Sequence, residues 1–113
     1  MALPVLSANM SDEDMDMMMN NACDASTFLK ALSHEGRLMI LCHLAGGEKS
    51  VTELEQLLES RQAAVSQQLA RLRLEGLVDN RREGKAIYYR IADDRVELMI
   101  TTVHDMFCAP KKR

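Results

Sequence analysis

Ser50-Val51-Thr52-Glu53-Leu54-Glu55-Gln56-Leu57-Leu58-Glu59-Ser60-Arg61-Gln62-Ala63-Ala64-Val65-Ser66-Gln67-Gln68-Leu69-Ala70-Arg71-Leu72-Arg73-Leu74-Glu75-Gly76 decides the fold, because it holds two short amphipathic helices and the turn between them. Ser50 and Glu53 have the spacing of a capping box, which predicts a short helix with Val51, Leu54, Leu57 and Leu58 inward and a stop near Glu59. After a turn at Ser60 and Arg61, the next helix gathers Val65, Leu69 and Leu72 on one face. Gln62, Ala63, Ser66, Gln67 and Arg71 remain for the other face, and the run from Gln62 to Gln68 holds small and amide side chains with no charge. A helix that faces only water usually carries Glu and Lys there; small and amide side chains suit base edges.

Gly76 ends this helix, and two strand-like runs follow, Leu77 to Arg82 and Ala86 to Ile91, with Glu83, Gly84 and Lys85 at the hairpin tip. Net charge is -3 over 113 residues, but it is unevenly spread. From position 61 to 90, seven bases face three acids, whereas Asp12, Glu13, Asp14, Asp16 and Asp24 cluster near the start. Duplex affinity follows the local basic patch rather than the total.

Working outward, residues 1–10 read as a flexible N-terminal tail, residues 11–109 as one domain and 110–113 as a basic C-terminal tail. Ser11, followed by three acids, predicts a helix start, and that helix would run to about Leu32, with a break allowed at the weak helix formers Asn20 and Asn21. Ser33 is a candidate cap for a second helix carrying Leu38, Leu41, Cys42 and Ala45 inward, ended by Gly46 and Gly47. Asp93 or Asp94 can cap a last helix, whose stripe of Val96, Met99, Ile100, Val103 and Phe107 runs to Cys108 before Pro110. The expected fold is mainly α with a β-hairpin, in the order ααααββα: a winged helix-turn-helix.

That order places a recognition helix for the major groove beside a basic wing for the backbone. Gln62 and Gln67 suit paired bonds to adenine, Ser66 a base edge or phosphate, and Arg71 and Arg73 phosphate or guanine. Arg81, Arg82 and Lys85 suit phosphate near the wing. The candidate DNA-binding set is therefore Gln62, Ala63, Ser66, Gln67, Gln68, Arg71, Arg81, Arg82 and Lys85.

Leu32-Ser33-His34-Glu35-Gly36-Arg37-Leu38, Ser50-Val51-Thr52-Glu53-Leu54, Ala64 to Leu72, and the segment Gly76-Leu77-Val78 with Arg81, Arg82, Gly84, Lys85 and Tyr88-Tyr89-Arg90 together resemble the ArsR/SmtB repressors. The similarity covers roughly residues 20 to 108. Gly36 stands where the family usually has a bulkier residue, and Gln68 where it often has His. The resemblance implies a homodimer through the first and last helices on a palindromic double-stranded operator. Many members sense metals through a Cys-rich cluster on the third helix or Asp, His and Glu on the last; neither set stands here, so no metal or other cofactor is expected.

Cys42 and Cys108 resemble the dithiol of the persulfide-responsive BigR/SqrR subgroup. By that resemblance, reactive sulfur species would bridge the two thiols as a disulfide or polysulfide, release the operator and derepress sulfide-detoxification genes. Cys23 matches neither member of the pair. A soft metal or metalloid input and a constitutive regulator are the alternatives of the same fold. A thiol oxidoreductase is disfavoured, since the sequence has no C-x-x-C and no Gly-rich cofactor loop. No apolar run reaches the roughly 18 residues that cross a membrane, so a cytoplasmic protein is expected, and the winged helix-turn-helix reading implies no enzymatic activity.

Overall fold

A computed structural model of the chain describes residues 10–59 and 62–108, the side chains of 62 and 63 excepted. The elements are α1 (Asp12–Leu32), α2 (Glu35–Leu44), β1 (Lys49–Ser50), α3 (Val51–Leu58), α4 (Gln62–Leu74), β2 (Val78–Glu83), β3 (Ala86–Ile91) and α5 (Asp94–Phe107). Residues 1–9 of the tail expected at 1–10, the tail expected at 110–113, and the turn at Ser60 and Arg61 lie outside the described residues. The chain divides between Lys30 and Ala31 into two units.

The first unit holds most of α1. The Ser11 hydroxyl accepts the Asp14 N–H at 3.1 Å, so the cap stands where the sequence puts it, with Asp12, Glu13 and Asp14 on the positive end of the dipole. The helix runs unbroken through Asn20 and Asn21. Met15, Met17, Met19 and Leu29 are exposed.

The second unit packs α2 to α5 around Leu41, Leu54, Leu69, Leu72 and Val96, all fully buried. α2 is capped by His34 rather than Ser33: its extended backbone points Nδ1 at the Gly36 N–H, 3.0 Å away. Ile40, Leu41 and Leu44 form the inward face of α2, and Cys42 and Ala45, expected inward, are exposed. With 100° between successive residues, the face centred on Leu41 and Leu44 carries Cys42 off to the flank.

The capping box of α3 is present in full, since Ser50 Oγ accepts the Glu53 N–H and Glu53 Oε1 accepts the Ser50 N–H, both at 3.0 Å. Only Leu54 of its four apolar residues is fully buried; Val51 and Leu58 are half-buried and Leu57 is 49% exposed. Leu57 and Leu58 line an open cavity of about 400 Å³ between α2, α3 and α4 instead of closed core. α4 buries Val65, Leu69 and Leu72 as its periodicity requires. It closes with the Gly76 N–H on the Arg73 carbonyl and the Leu77 N–H on that of Leu72, the paired bonds for which Gly76 adopts φ 77°.

β2 and β3 pair antiparallel from Val78 opposite Ile91 to Glu83 opposite Ala86, leaving Gly84 and Lys85 as the loop. The sequence reading missed β1, whose Lys49 and Ser50 pair with Tyr89 and Tyr88 on the other side of β3. Two residues are too few to show alternation. The wing is therefore a three-stranded sheet in the order β1-β3-β2, and the element order is ααβααββα. Asp93 caps α5 by accepting the Arg95 N–H at 2.9 Å. Val96 and Ile100 of α5 are buried, while Leu98, Met106 and Phe107 stay exposed. Among the described residues no helix is long and apolar enough to cross a membrane.

Candidate DNA interface and thiol pair

Burying Val65, Leu69 and Leu72 turns the opposite side of α4 outward, where Ser66, Gln67, Arg71 and Arg73 are exposed. Arg71 lies 3.7 Å from Glu75, one turn on, a solvated pair that constrains it weakly. The side chains of Gln62 and Ala63 are outside the described set. Gln68 departs from the expected surface: it is half-buried and lines the cavity with His34, Gly36 and Met39. One position beyond Gln67, it has rotated toward α2. A methyl on Gly36 would stand 3.2 Å from two atoms of the His34 ring and 3.8 Å from the Gln68 amide nitrogen, so the missing side chain leaves room for the imidazole that caps α2.

A groove of about 320 Å³ is lined by Ser66 of α4, by Lys85, Ile87 and Tyr88 of the wing, and by Ser50 and Thr52. Thr52 and Lys85 are exposed there. The sequence reading passed over Thr52, because position alone does not show that the start of α3 meets the wing. Arg82 and Lys85 are exposed, and no ion pair joins either to a carboxylate among the described residues.

Arg81 is differently placed. Its Nε donates to both oxygens of Glu48 at 3.0 and 2.9 Å, its Nη2 to Glu48 at 2.6 Å and its Nη1 to Glu83 at 2.9 Å. The guanidinium also lies 4.6 Å over the centre of the Tyr88 ring. These bonds from Arg81 hold the Glu48 carboxyl below the usual carboxylate range. Sequence reasoning did not single out Glu48, which lies 33 positions away.

Cys23, Cys42 and Cys108 are free thiols and all exposed. Cys108 is the C-cap of α5, its N–H bonded to the His104 carbonyl at 2.8 Å. Partial burial pushes the Cys42 thiol up, and the charge of a Cys108 thiolate pushes it further. The two thiols stand on elements that pack together, Cys42 on α2 and Cys108 at the cap of α5. Among the described residues no three of His, Cys, Asp or Glu gather into a metal-holding group.

Residues 34–80 match the bacterial regulatory protein, arsR family. The chain is 47% identical over 95 residues to a biofilm growth-associated repressor of Agrobacterium fabrum, covering 84% of this chain and 81% of that one. It is 40% identical over 105 residues to the protein of the same name from Xylella fastidiosa, covering 93% and 90%. Among solved structures, reduced HlyU from Vibrio cholerae superposes with a TM-score of 0.79 at 42% identity, covering 82% of this chain and 98% of that one. The transcriptional repressor BigR from Xylella fastidiosa superposes with a TM-score of 0.77 at 40% identity, covering 89% and 100%. With the helix pair, the wing and these likenesses in agreement, the chain belongs to the arsR family of bacterial regulatory proteins, winged helix-turn-helix DNA-binding regulators rather than enzymes.

Proposed function

We propose that this chain is a cytoplasmic transcriptional repressor that binds a palindromic operator as a homodimer and lets go when Cys42 and Cys108 are bridged by reactive sulfur species. Ser66, Gln67 and Arg71, with Gln62 and Ala63 at the helix start, form the base-reading edge, and Arg82 and Lys85 contact phosphate. Exposed apolar residues on α1 and on α5, including Leu98, Met106 and Phe107, are the faces through which two copies pair. Both relatives named as biofilm growth-associated repressors support the sign of regulation.

The observation that carries the thiol input is the packing of α2, which bears Cys42, against α5, whose C-cap is Cys108. One thiolate attacks the outer sulfur of a persulfide, expels the donor's thiolate and becomes a protein persulfide. The second thiolate attacks its inner sulfur, closing a disulfide and releasing hydrosulfide. If both cysteines are first persulfidated, the same displacement closes a trisulfide. Either bridge ties α2 to α5 and alters the angle between the paired recognition helices. Genes for sulfide detoxification are the expected targets.

The test is a titration of operator duplex before and after treatment with a persulfide donor, with Cys42→Ser and Cys108→Ser alongside, and intact-mass measurement of the bridge. Treatment should weaken binding by the unmodified protein by roughly 5- to 150-fold, the usual size of allosteric coupling, and leave both variants bound. Equal responses from all three proteins would discard the thiol input.

A further inference from the structure

Arg81 looks from the sequence like a phosphate contact, yet each nitrogen of its half-exposed guanidinium already donates to a carboxylate of the protein. All three of its nitrogens donate to carboxylates, two to Glu48 and one to Glu83, and its face rests on Tyr88. One guanidinium with two carboxylates leaves the cluster with a net negative charge, which repels an approaching phosphate. A phosphate that displaced Glu48 would exchange a bidentate carboxylate for a similar anion and leave Glu48 uncompensated beside the duplex. Retention is favoured on both counts.

The cluster also spans the sheet. Tyr88 on β3 pairs with Ser50 of β1 on one side and with Arg81 of β2 on the other. Glu48 immediately precedes β1, so its bond to Arg81 crosses the middle strand and joins the two edges. β1 has only two residue pairs to hold it, a weak register without side-chain support. We infer that Arg81 is a positioning residue, which with Glu48 fixes the wing against the turn before β1, and that phosphate contact by the wing falls to Arg82 and Lys85.

The inference rests on the wing reading and is independent of the thiol pair. A duplex of about 30 base pairs, long enough for two half-sites, is first selected from a randomised pool by the unmodified protein, so a failure of duplex binding is seen separately. Affinity for that duplex is then measured against salt concentration for Arg81→Gln, Arg81→Lys, Glu48→Gln, Arg82→Gln and the Glu48→Gln/Arg81→Gln double variant. Arg82→Gln should flatten the log–log salt dependence by about 0.9 for each phosphate contact removed. Arg81→Gln and Glu48→Gln should each weaken binding about three- to tenfold with the slope unchanged, and the double variant should lose no more than either. Arg81→Lys keeps the charge but loses the fork, and should behave like Arg81→Gln.

The opposite pattern overturns the inference: a flatter slope for Arg81→Gln, affinity preserved in Arg81→Lys, or tighter binding by Glu48→Gln. Hydrogen exchange of the β2–β3 amides in the duplex-free protein gives a second readout. It should quicken in both single clamp variants, and unchanged exchange in well-folded samples would also overturn the inference.

Discussion

Cys42 on α2 and Cys108 at the cap of α5, 66 positions apart in the chain, are electrostatic neighbours: a thiolate at Cys108 makes ionisation of Cys42 harder. Burial is the larger of the two causes that raise the Cys42 thiol. Because the folded value is raised, the associated stability is complete below the unfolded-state value and is lost as pH rises through the folded one. Replacing Cys108 with Ser should therefore lower the Cys42 titration midpoint without returning it to the ordinary cysteine value. The pH dependence of alkylation at Cys42 measures this, and an unmoved midpoint would contradict the neighbour relationship.

The two faces of α4 should separate stability from recognition. Leu69→Ala removes a fully buried side chain and should cost about 2 to 5 kcal/mol in denaturant unfolding. Ser66→Ala, on the exposed face, should leave unfolding within about 0.5 kcal/mol and weaken duplex affinity by roughly 1 to 3 kcal/mol. A Ser66 variant that binds as well as the unmodified protein would remove this residue from the interface.

At the start of α3, Ser50→Ala should lower stability by about 1 kcal/mol, read as a drop in Tm at fixed protein concentration. The Ser50 backbone N–H, followed by its hydroxyl, holds the Glu53 carboxyl below the usual range. That contribution is full above the unfolded-state value and lost as pH falls through the depressed one. Glu53→Gln should accordingly make acid unfolding, followed by circular dichroism, less steep; superimposable acid curves would show the box to be thermodynamically idle.

His34→Ala should destabilise by about 0.5 to 2 kcal/mol through loss of the α2 cap, and His34→Asn should recover most of it. Gly36→Ala should fail to gain the roughly 1 kcal/mol that alanine brings to a helix, because its methyl crowds the imidazole at 3.2 Å. Thermal unfolding of the three variants decides this, and a Gly36→Ala protein more stable by the full increment would mean that the ring moves aside freely.

Much of the architecture was legible in order and spacing. Ser11, the Ser50 and Glu53 pair, Gly76 and Asp93 mark helix ends where the structure has them, since each acts on backbone groups within a few residues of itself. Val65, Leu69 and Leu72 were readable as core because helical periodicity alone sets their direction. Leu57 and Cys42 were not, since both sit at the margin of an apolar stripe, where the neighbouring elements decide what is covered.

By itself the sequence determined the helix pair, the wing hairpin, the small polar face of α4 and the segregation of positive charge toward positions 61–90. Tertiary structure alone decided that Arg81 is bound to Glu48, that Gln68 lines a cavity behind α4, that β1 completes the sheet and that α2, which bears Cys42, packs on α5. The physical reason is range. Caps, turns and periodic faces are fixed by interactions within a turn or two of the chain, whereas a bond across 33 positions exists only once the sheet has folded both partners to the same place.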